Sequence, residues 1–258
     1  MIRILALLLL VSCGEFIFSP YLVDIRSENS NLKNLNSLLS TPESMGAGND
    51  FSVVVISDTH DYYDSLKDQI NYINKNMYPD FVFITGDMSN VGLVGELEKT
   101  KSILDRLKVP YLVTSGNHDL LIDGEYIFEK IFGQDTYSFT YKGVRFVALN
   151  NNNWESKRAV PNISWLKSQI EYNIDDNVII FAHIPYDDQE RFTQTMIETW
   201  QNLFVDYKVD YYINGHDHNT NAVLLNDTTQ VTVGSSSKRG LLNLIFNADG
   251  VSHEIIKI

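Results

Sequence analysis

Five apolar runs in this chain each end in side chains of the kind that hold divalent metals. They read Val53-Val54-Val55-Ile56-Ser57-Asp58-Thr59-His60, Phe81-Val82-Phe83-Ile84-Thr85-Gly86-Asp87 and Tyr111-Leu112-Val113-Thr114-Ser115-Gly116-Asn117-His118-Asp119. Val178-Ile179-Ile180-Phe181-Ala182-His183 and Tyr211-Tyr212-Ile213-Asn214-Gly215-His216-Asp217-His218 follow. These signatures take up five of the six histidines; His253 lies outside them and reads as an ordinary strand residue. Short runs rich in β-branched and aromatic residues are strand signals, and strand tips are where open α/β sheets present chemistry. Chance rarely places polar ligands at five strand ends, so the pattern points to a metal site that hydrolyses a substrate.

The segments between the runs set the fold class. From Phe51 onward, strand candidates at 51–57, 81–85, 110–114 and 178–182 are separated by helical patterns such as Leu66, Ile70 and Ile73, then Leu97, Ile103, Leu104 and Leu107. Tyr137 to Thr140 and Val144 to Asn150, joined at Lys142-Gly143, read as a hairpin, and Asn150 to Asn153 as a polar loop. After His218 the pattern is wholly β, near 222–225, 229–233, 241–246 and 252–257. The expected fold is α/β: a four-layer α/β/β/α sandwich of two packed mixed sheets, with the metal site at the C-terminal ends of the strands.

The N-terminus reads differently. A basic tip, Met1-Ile2-Arg3, precedes the apolar stretch Ile4 to Val11. That stretch is too short to span a bilayer, which takes about twenty residues as a helix, and it fits the core of a secretory signal peptide. Leu10-Val11-Ser12-Cys13 resembles the lipobox of bacterial lipoproteins. The resemblance implies a signal over 1–12, cleavage before Cys13, a lipid on its thiol and membrane contact through that anchor. Gly14 by the same analogy favours the outer membrane. An ordinary cleaved signal, or a buried free thiol, is the alternative. Residues 14–50 are poor in packing side chains and read as a tether (13–50 with the lipidated Cys13) ahead of a catalytic domain over 51–258. Within the tether, Tyr21, Val23 and Ile25 alternate as in a strand, and Leu32, Leu35, Leu38 and Leu39 have helical spacing. Docking on the domain and dangling from it both stay open.

Asp58, His60, Asp87, Asn117, His183, His216 and His218 form the candidate ligand set. On an extended segment, residues i and i+2 project to one side, so Asp58 with His60, and His216 with His218, can reach one ion. Gly86, Gly116 and Gly215 each precede a candidate ligand and allow close backbone approach. Imidazole and carboxylate suit Mn, Zn or Fe, and the lack of thiolate argues against a closed structural zinc site. Seven ligands serve two divalent metal ions if one carboxylate bridges them. Two such ions with two carboxylates leave a net positive site, which favours an anionic phosphate ester. The formal net charge of −13 argues against non-specific nucleic-acid binding.

The order Asp-x-His, Gly-Asp, Gly-Asn-His-Asp, His, Gly-His-x-His resembles the calcineurin-like metallophosphoesterase superfamily. That resemblance implies one metal on Asp58, His60, Asp87 and His218, and a second on Asp87, Asn117, His183 and His216, with Asp87 as bridge. His118 would donate a proton to the leaving oxygen or stabilise developing charge, and Asp119 would orient His118. An activated water would attack phosphorus in line with the leaving group. Asp119 could equally cap a helix beginning near Leu120. Two departures narrow the field. Gly86-Asp87-Met88-Ser89-Asn90 lacks the Tyr of purple acid phosphatases, and Asn90-Val91-Gly92 stands where Ser/Thr protein phosphatases resemble Asp-Arg-Gly. Without that Arg a diester monoanion is favoured over a monoester dianion, and the chain looks most like cyclic-nucleotide-phosphodiesterase-type members. Gly234-Ser235-Ser236-Ser237-Lys238-Arg239-Gly240 is either a phosphate-contacting loop or a solvated turn. The triplets at Asn162 and Asn226 resemble glycosylation sites and carry little weight beside a lipobox. The leading expectation is a phosphodiesterase at the bacterial envelope acting on a small-molecule phosphate ester. Phosphomonoesterase, pyrophosphohydrolase, and a catalytically decayed metal-binding lipoprotein are the alternatives.

Overall fold

The structure is a computed structural model that describes residues 25–40, 50–171 and 177–258. Cys13 and the rest of the lipobox lie outside the described residues, as do Tyr21 and Val23. Among the described residues, eleven strands and six α-helices follow in the order α1 (Ser30–Leu39), β1 (Phe51–Ile56), α2 (Tyr63–Asn76), β2 (Phe81–Ile84), α3 (Val94–Leu104) and β3 (Tyr111–Val113). Then come α4 (Gly124–Ile131), β4 (Tyr137–Tyr141), β5 (Val144–Ala148), α5 (Ile163–Ile170), β6 (Asn177–Phe181), α6 (Gln194–Asp206) and β7 (Tyr211–Asn214). The chain closes with β8 (Asn221–Leu225), β9 (Thr228–Thr232), β10 (Gly240–Asn247) and β11 (Gly250–Lys257).

Two mixed sheets form, ordered β11-β10-β1-β2-β3 and β4-β5-β6-β7-β9-β8. Alternation along the strands explains why they stack. In β1, Val53 and Val55 join the cluster between the sheets, while Val54 and Ile56 face α2 and α3 on the outside. Phe81 and Phe83 of β2 meet Phe139, Phe146 and Phe181 from the other sheet, and the Phe83 and Phe181 rings stack with centroids 3.9 Å apart. Val147, Ile180 and Tyr212 point the other way, against Leu166 of α5 and Trp200, Leu203 and Phe204 of α6. The result is the expected four-layer α/β/β/α sandwich. Strands β1, β2 and β3 are mutually parallel, as are β5, β6, β7 and β9. Their C-terminal ends open onto one edge of the sandwich, where all five signatures lie.

Local chemistry fixes several joints. The β4–β5 hairpin turns at Lys142 and Gly143, both at positive φ (48° and 81°), the conformation that matches the twist of a two-residue hairpin. Asn162 caps α5 by accepting from Trp165 N at 2.9 Å. Residues 30–39 form the helix whose leucine spacing announced it. It docks: Leu38 is buried in the core between the sheets, with Leu35 and Leu39 packed against it. Asn31 accepts from Val113 N (2.9 Å) and donates to Val113 O (3.0 Å), so its carboxamide pairs with β3 as a strand residue would. Upstream, the Glu98 carboxylate accepts from Ser27 Oγ and from the amides of Arg26 and Ser27. Among the described residues no helix is long and apolar enough to cross a membrane.

Candidate metal centre

The seven candidate ligands converge. Asp58, His60, Asp87 and His218 offer ligand atoms that lie within 4.8 Å of one another. His218 Nε2 is 3.3 Å from Asp58 Oδ1 and 3.3 Å from His60 Nε2. His60 Nε2 is 3.6 Å from Asp87 Oδ2, and that same oxygen is 3.3 Å from His183 Nε2. His183 Nε2 and His216 Nδ1 each lie 3.1 Å from Asn117 Oδ1. Two constellations therefore share one oxygen atom. Metal bonds of about 2.0–2.2 Å at tetrahedral or octahedral angles separate neighbouring ligands by roughly 3.0–3.5 Å. The observed separations are the edges of such polyhedra. The His60–His218 contact agrees: His60 Nδ1 donates to the Ser89 carbonyl at 3.1 Å, so its Nε2 presents a lone pair to another imidazole nitrogen. A cation or proton between them removes the repulsion.

Backbone conformation brings these atoms together in a way the extended-segment expectation did not foresee. Asp58, His60, Asp87, His216 and His218 all have positive φ, between 40° and 75°. The chain after β1 and β7 is coiled rather than extended, because each ligand must turn back over the tip of its own strand. Non-glycine residues reach this region at a cost of order 1–3 kcal/mol each and cluster at functional sites. Packing holds them there. Asp58 N donates to Gly86 O and His60 N to Asp87 O, while His216 N donates to the Asp58 carboxylate. Ser236 N reaches the Ser57 and Asp58 carbonyls, and Ser235 Oγ donates to Asp58 O at 3.0 Å. At Gly116 and Gly215 the close approach is strict: a Cβ would overlap Asp87 N and Oδ1 at the first, and Ser57 Oγ and Asp58 Oδ2 at the second.

Electrostatics follow from burial and crowding. Burial alone pushes the Asp87 carboxyl up, but His183, His118 and His60 outweigh it and hold the group well below the usual carboxylate range. Burial likewise opposes charge on His183, yet the Asp87 carboxylate beside it raises the imidazole to about 9. His216 moves the other way, to about 4, through burial and the nearby charge of His183. The Asp58 carboxylate raises His218 through their contact. A divalent cation competes with protons for this pocket, so metal uptake releases protons.

His118 stands beside the cluster, its ring edge-on to His60 with centroids 5.0 Å apart. Its backbone N donates to Asp87 Oδ1 at 2.9 Å, which leaves Asp87 Oδ2 for the shared position. The expected contact with Asp119 is not what orients the ring. Asp119 Oδ1 accepts from Met88 N, Ser89 N and Ser89 Oγ, and Oδ2 accepts from Gly116 N. With both oxygens engaged, Asp119 ties the second signature loop to the third, and burial together with Asp87 raises its carboxyl to about 7. The carbonyl of Asn90 orients His118 instead, accepting from Nδ1 at 2.7 Å. In the same manner the Thr85 carbonyl takes the Nδ1 proton of His183 at 2.8 Å and directs Nε2 inward.

Two further segments serve the site. Neither Lys238 nor Arg239 of the serine loop is free: Lys238 donates to Asn219 and Arg239 pairs with Asp68. That loop is a clamp on Asp58, made by buried Ser235 and Ser236, rather than a solvated turn. The asparagine run is a loop, but Asn150, Asn151 and Asn152 are fully buried. Asn151 Oδ1 accepts from His183 N and Ile184 N, and Asn152 Nδ2 donates to Ser115 O. The run follows an apolar strand just as the metal signatures do, and that was the available clue. Arg191 enters from the loop after β6: its N donates to Asp188, whose other oxygen lies 3.7 Å from His216 Nε2.

Comparison with known proteins decides the family. The sequence profile for calcineurin-like phosphoesterases matches residues 51–220. The chain belongs to that family. Serine/threonine-protein phosphatase CPPED1 of Bos taurus is 27% identical over 177 residues, 58% of this chain and 56% of the bovine protein. The chain thus spans about half the length of the curated relatives it matches. A dimetal phosphatase from Danio rerio superposes with a TM-score of 0.62 at 14% identity, over 80% of this chain and 98% of that one. GAP50, described as the anchor in the inner membrane complex of Plasmodium, gives a TM-score of 0.64 at 16% identity, over 81% and 84%. Such identities support the fold alone, and it is the fold of dimetal phosphoesterases.

Proposed function

We propose that this calcineurin-like phosphoesterase is a dimetal-dependent phosphoester hydrolase that prefers diesters. The observation that carries the reading is the single oxygen, Asp87 Oδ2, within 3.3–3.6 Å of imidazole nitrogens from two separate constellations. In this reading Asp58, His60, Asp87 and His218 hold one ion of Mn, Zn or Fe, and Asp87, Asn117, His183 and His216 hold the other. When bound, two such cations lower the pKa of a coordinated water and neutralise phosphate charge. The chain's own groups do the rest. His118, with Nδ1 fixed on Asn90, has Nε2 to pass a proton to the leaving oxygen. Asp119 keeps the loops carrying Asp87 and His118 in register.

The diester preference is supported by the charges around the site. Arg158 pairs with Glu125 and Asp135, Arg191 with Glu155 and Arg239 with Asp68, so these guanidiniums are already matched by carboxylates. Without a free guanidinium to grip its additional anionic oxygen, a phosphate dianion loses the advantage that such a donor would give it over a diester monoanion. The name of the bovine relative supports a second reading, a monoesterase. Rates on mono- and bis-nitrophenyl phosphate separate the two: a faster monoester at saturating Mn overturns the diester preference. Chelation should abolish both rates and Mn or Zn restore them; turnover that survives chelation overturns the metal-dependent reading.

We further propose, from the sequence of the leader alone, that the mature protein is held at the bacterial cell envelope, on the outer membrane, by a lipid on Cys13. Mass spectrometry of the mature N-terminus tests this, and an unmodified Cys13 would end it.

A further inference from the structure

Trp154 is 62% exposed, and yet it is not loose. The guanidinium carbon of Arg191 sits 4.3 Å from its ring centroid. Arg191 Nη1 in turn bonds both Glu155 oxygens at 2.8 Å, and the arginine side chain is only 9% exposed. One face of the indole is thus backed by a buried, paired guanidinium, and the residue's exposed area lies away from it. A flat aromatic held in one orientation costs a ligand little ordering entropy when it stacks.

Its place relative to the chemistry is set by short contacts. Asn152, two residues before Trp154, donates to Ser115 O, two residues before the candidate ligand Asn117. Asn153 donates to Arg191 O at 2.7 Å, and Arg191 N reaches Asp188, which neighbours His216. On the His118 side the surface is apolar too. Val91 follows the Asn90 that holds His118, and Ile122 closes the turn after it; they are 38% and 55% exposed. Ser156 and Lys157 continue from Trp154 to Glu125, next to exposed Tyr126.

We propose that Trp154, fixed by Arg191 and Glu155, is a stacking platform for a planar aromatic ring on the substrate, so that the preferred phosphate esters carry a nucleobase or aryl group. This rests on the phosphoesterase reading and adds the class of substrate to it. Trp154 is here a specificity residue, not a catalytic one.

The test uses the full chain loaded with Mn, with kcat and KM measured on a nucleoside phosphodiester, bis-nitrophenyl phosphate and a glyceryl phosphodiester. Trp154→Ala should raise KM for the ring-bearing esters by about 5- to 100-fold, the range that loss of one base–aromatic stack gives. The glyceryl ester should be hydrolysed as before, which also shows that the variant is folded, and Trp154→Phe should recover most of the loss. A loss confined to nucleoside esters, or shared with nitrophenyl esters, upholds the platform and says which ring it takes. Equal effects on all three esters, or no effect on any, overturn it. A wild-type enzyme holding two Mn ions yet inert on all three would instead overturn the parent reading.

Discussion

At the floor of the metal centre Asp58, Asp87, His183 and Asp119 are at most 1% exposed, whereas at its rim Trp154, Ile122 and Tyr126 are each more than half exposed. The floor is over-determined: the backbone donors of His118 and His216, the carbonyls of Thr85 and Ser89, and the serine clamp each fix one ligand residue. The rim instead turns large side chains to solvent. Floors of this kind set what reaction is possible, because ligand distances must hold to within a few tenths of an ångström. Rims set which molecule undergoes it. The two regions should therefore answer mutation differently.

The largest effect belongs to Asp87→Asn. It removes charge from the oxygen shared by both constellations, so metal content should fall from two ions per chain to at most one. Turnover should fall by more than the roughly 10–100-fold that loss of an outer partner costs. Elemental analysis beside kinetics checks it; two retained ions would refute the bridge. His118→Asn should keep both ions and cut kcat by about 10²–10⁴-fold, the usual contribution of a positioned acid. Full activity in that variant would remove His118 from the mechanism.

Next come substitutions that deform the floor without replacing a ligand. Gly116→Ala sets a methyl group against the backbone of Asp87, which has nowhere to move. It should cost about 1–3 kcal/mol, seen as a drop of several degrees in Tm. Asn151→Ala strands the amides of His183 and Ile184 in the interior and should cost about 1–3 kcal/mol as well. If either variant melts like the wild type, the floor is softer than its contacts imply.

The smallest effect concerns pH and lies far from the metals. Burial pushes the Glu98 carboxyl up, but bonds from the Ser27 hydroxyl and the Ser27 and Arg26 amides outweigh it and hold the group below its ordinary value. A depressed carboxylate stabilises the fold above its unfolded pKa of about 4.3 and loses that contribution as pH falls through the folded value. Protection factors of the Arg26 and Ser27 amides, taken relative to the free-chain rate at each pH, should therefore fall below about pH 4, and Glu98→Gln should lower them at neutral pH. Unchanged protection in the variant would show that the latch is held by other contacts.

Much of this was legible in advance. Strands β1, β2, β3, β6 and β7 announced themselves as apolar runs closed by polar side chains, and the spacing of Leu66, Ile70 and Ile73 fixed α2. The hairpin at Lys142-Gly143 and the last four strands fell within a residue or two of expectation. What periodicity could not tell is which sheet each late strand joins: β8 and β9 extend one sheet, while β10 and β11 cross to the other beside β1. Nor did spacing reveal the left-handed turns at Asp58 and His60, since the i, i+2 rule presumes an extended chain. Polarity did not tell burial. Asn150 to Asn152 read as a loop and form one, yet carboxamides that satisfy one another and nearby backbone can be buried whole. Asp119 was assigned to His118 through the family resemblance, although its reach is toward Met88, Ser89 and Gly116.

The helix over Ser30–Leu39 carries a consequence for anyone shortening this protein. By pairing both polar groups of Val113, Asn31 seals the outer border of β3. Strip away everything before residue 41 and that border becomes an open template, with the Val113 amide unmatched and its carbonyl left to the Tyr137 hydroxyl alone, beside a bared apolar face. Open borders of this kind recruit one another. A shortened version should retain its metal chemistry and fail by clumping.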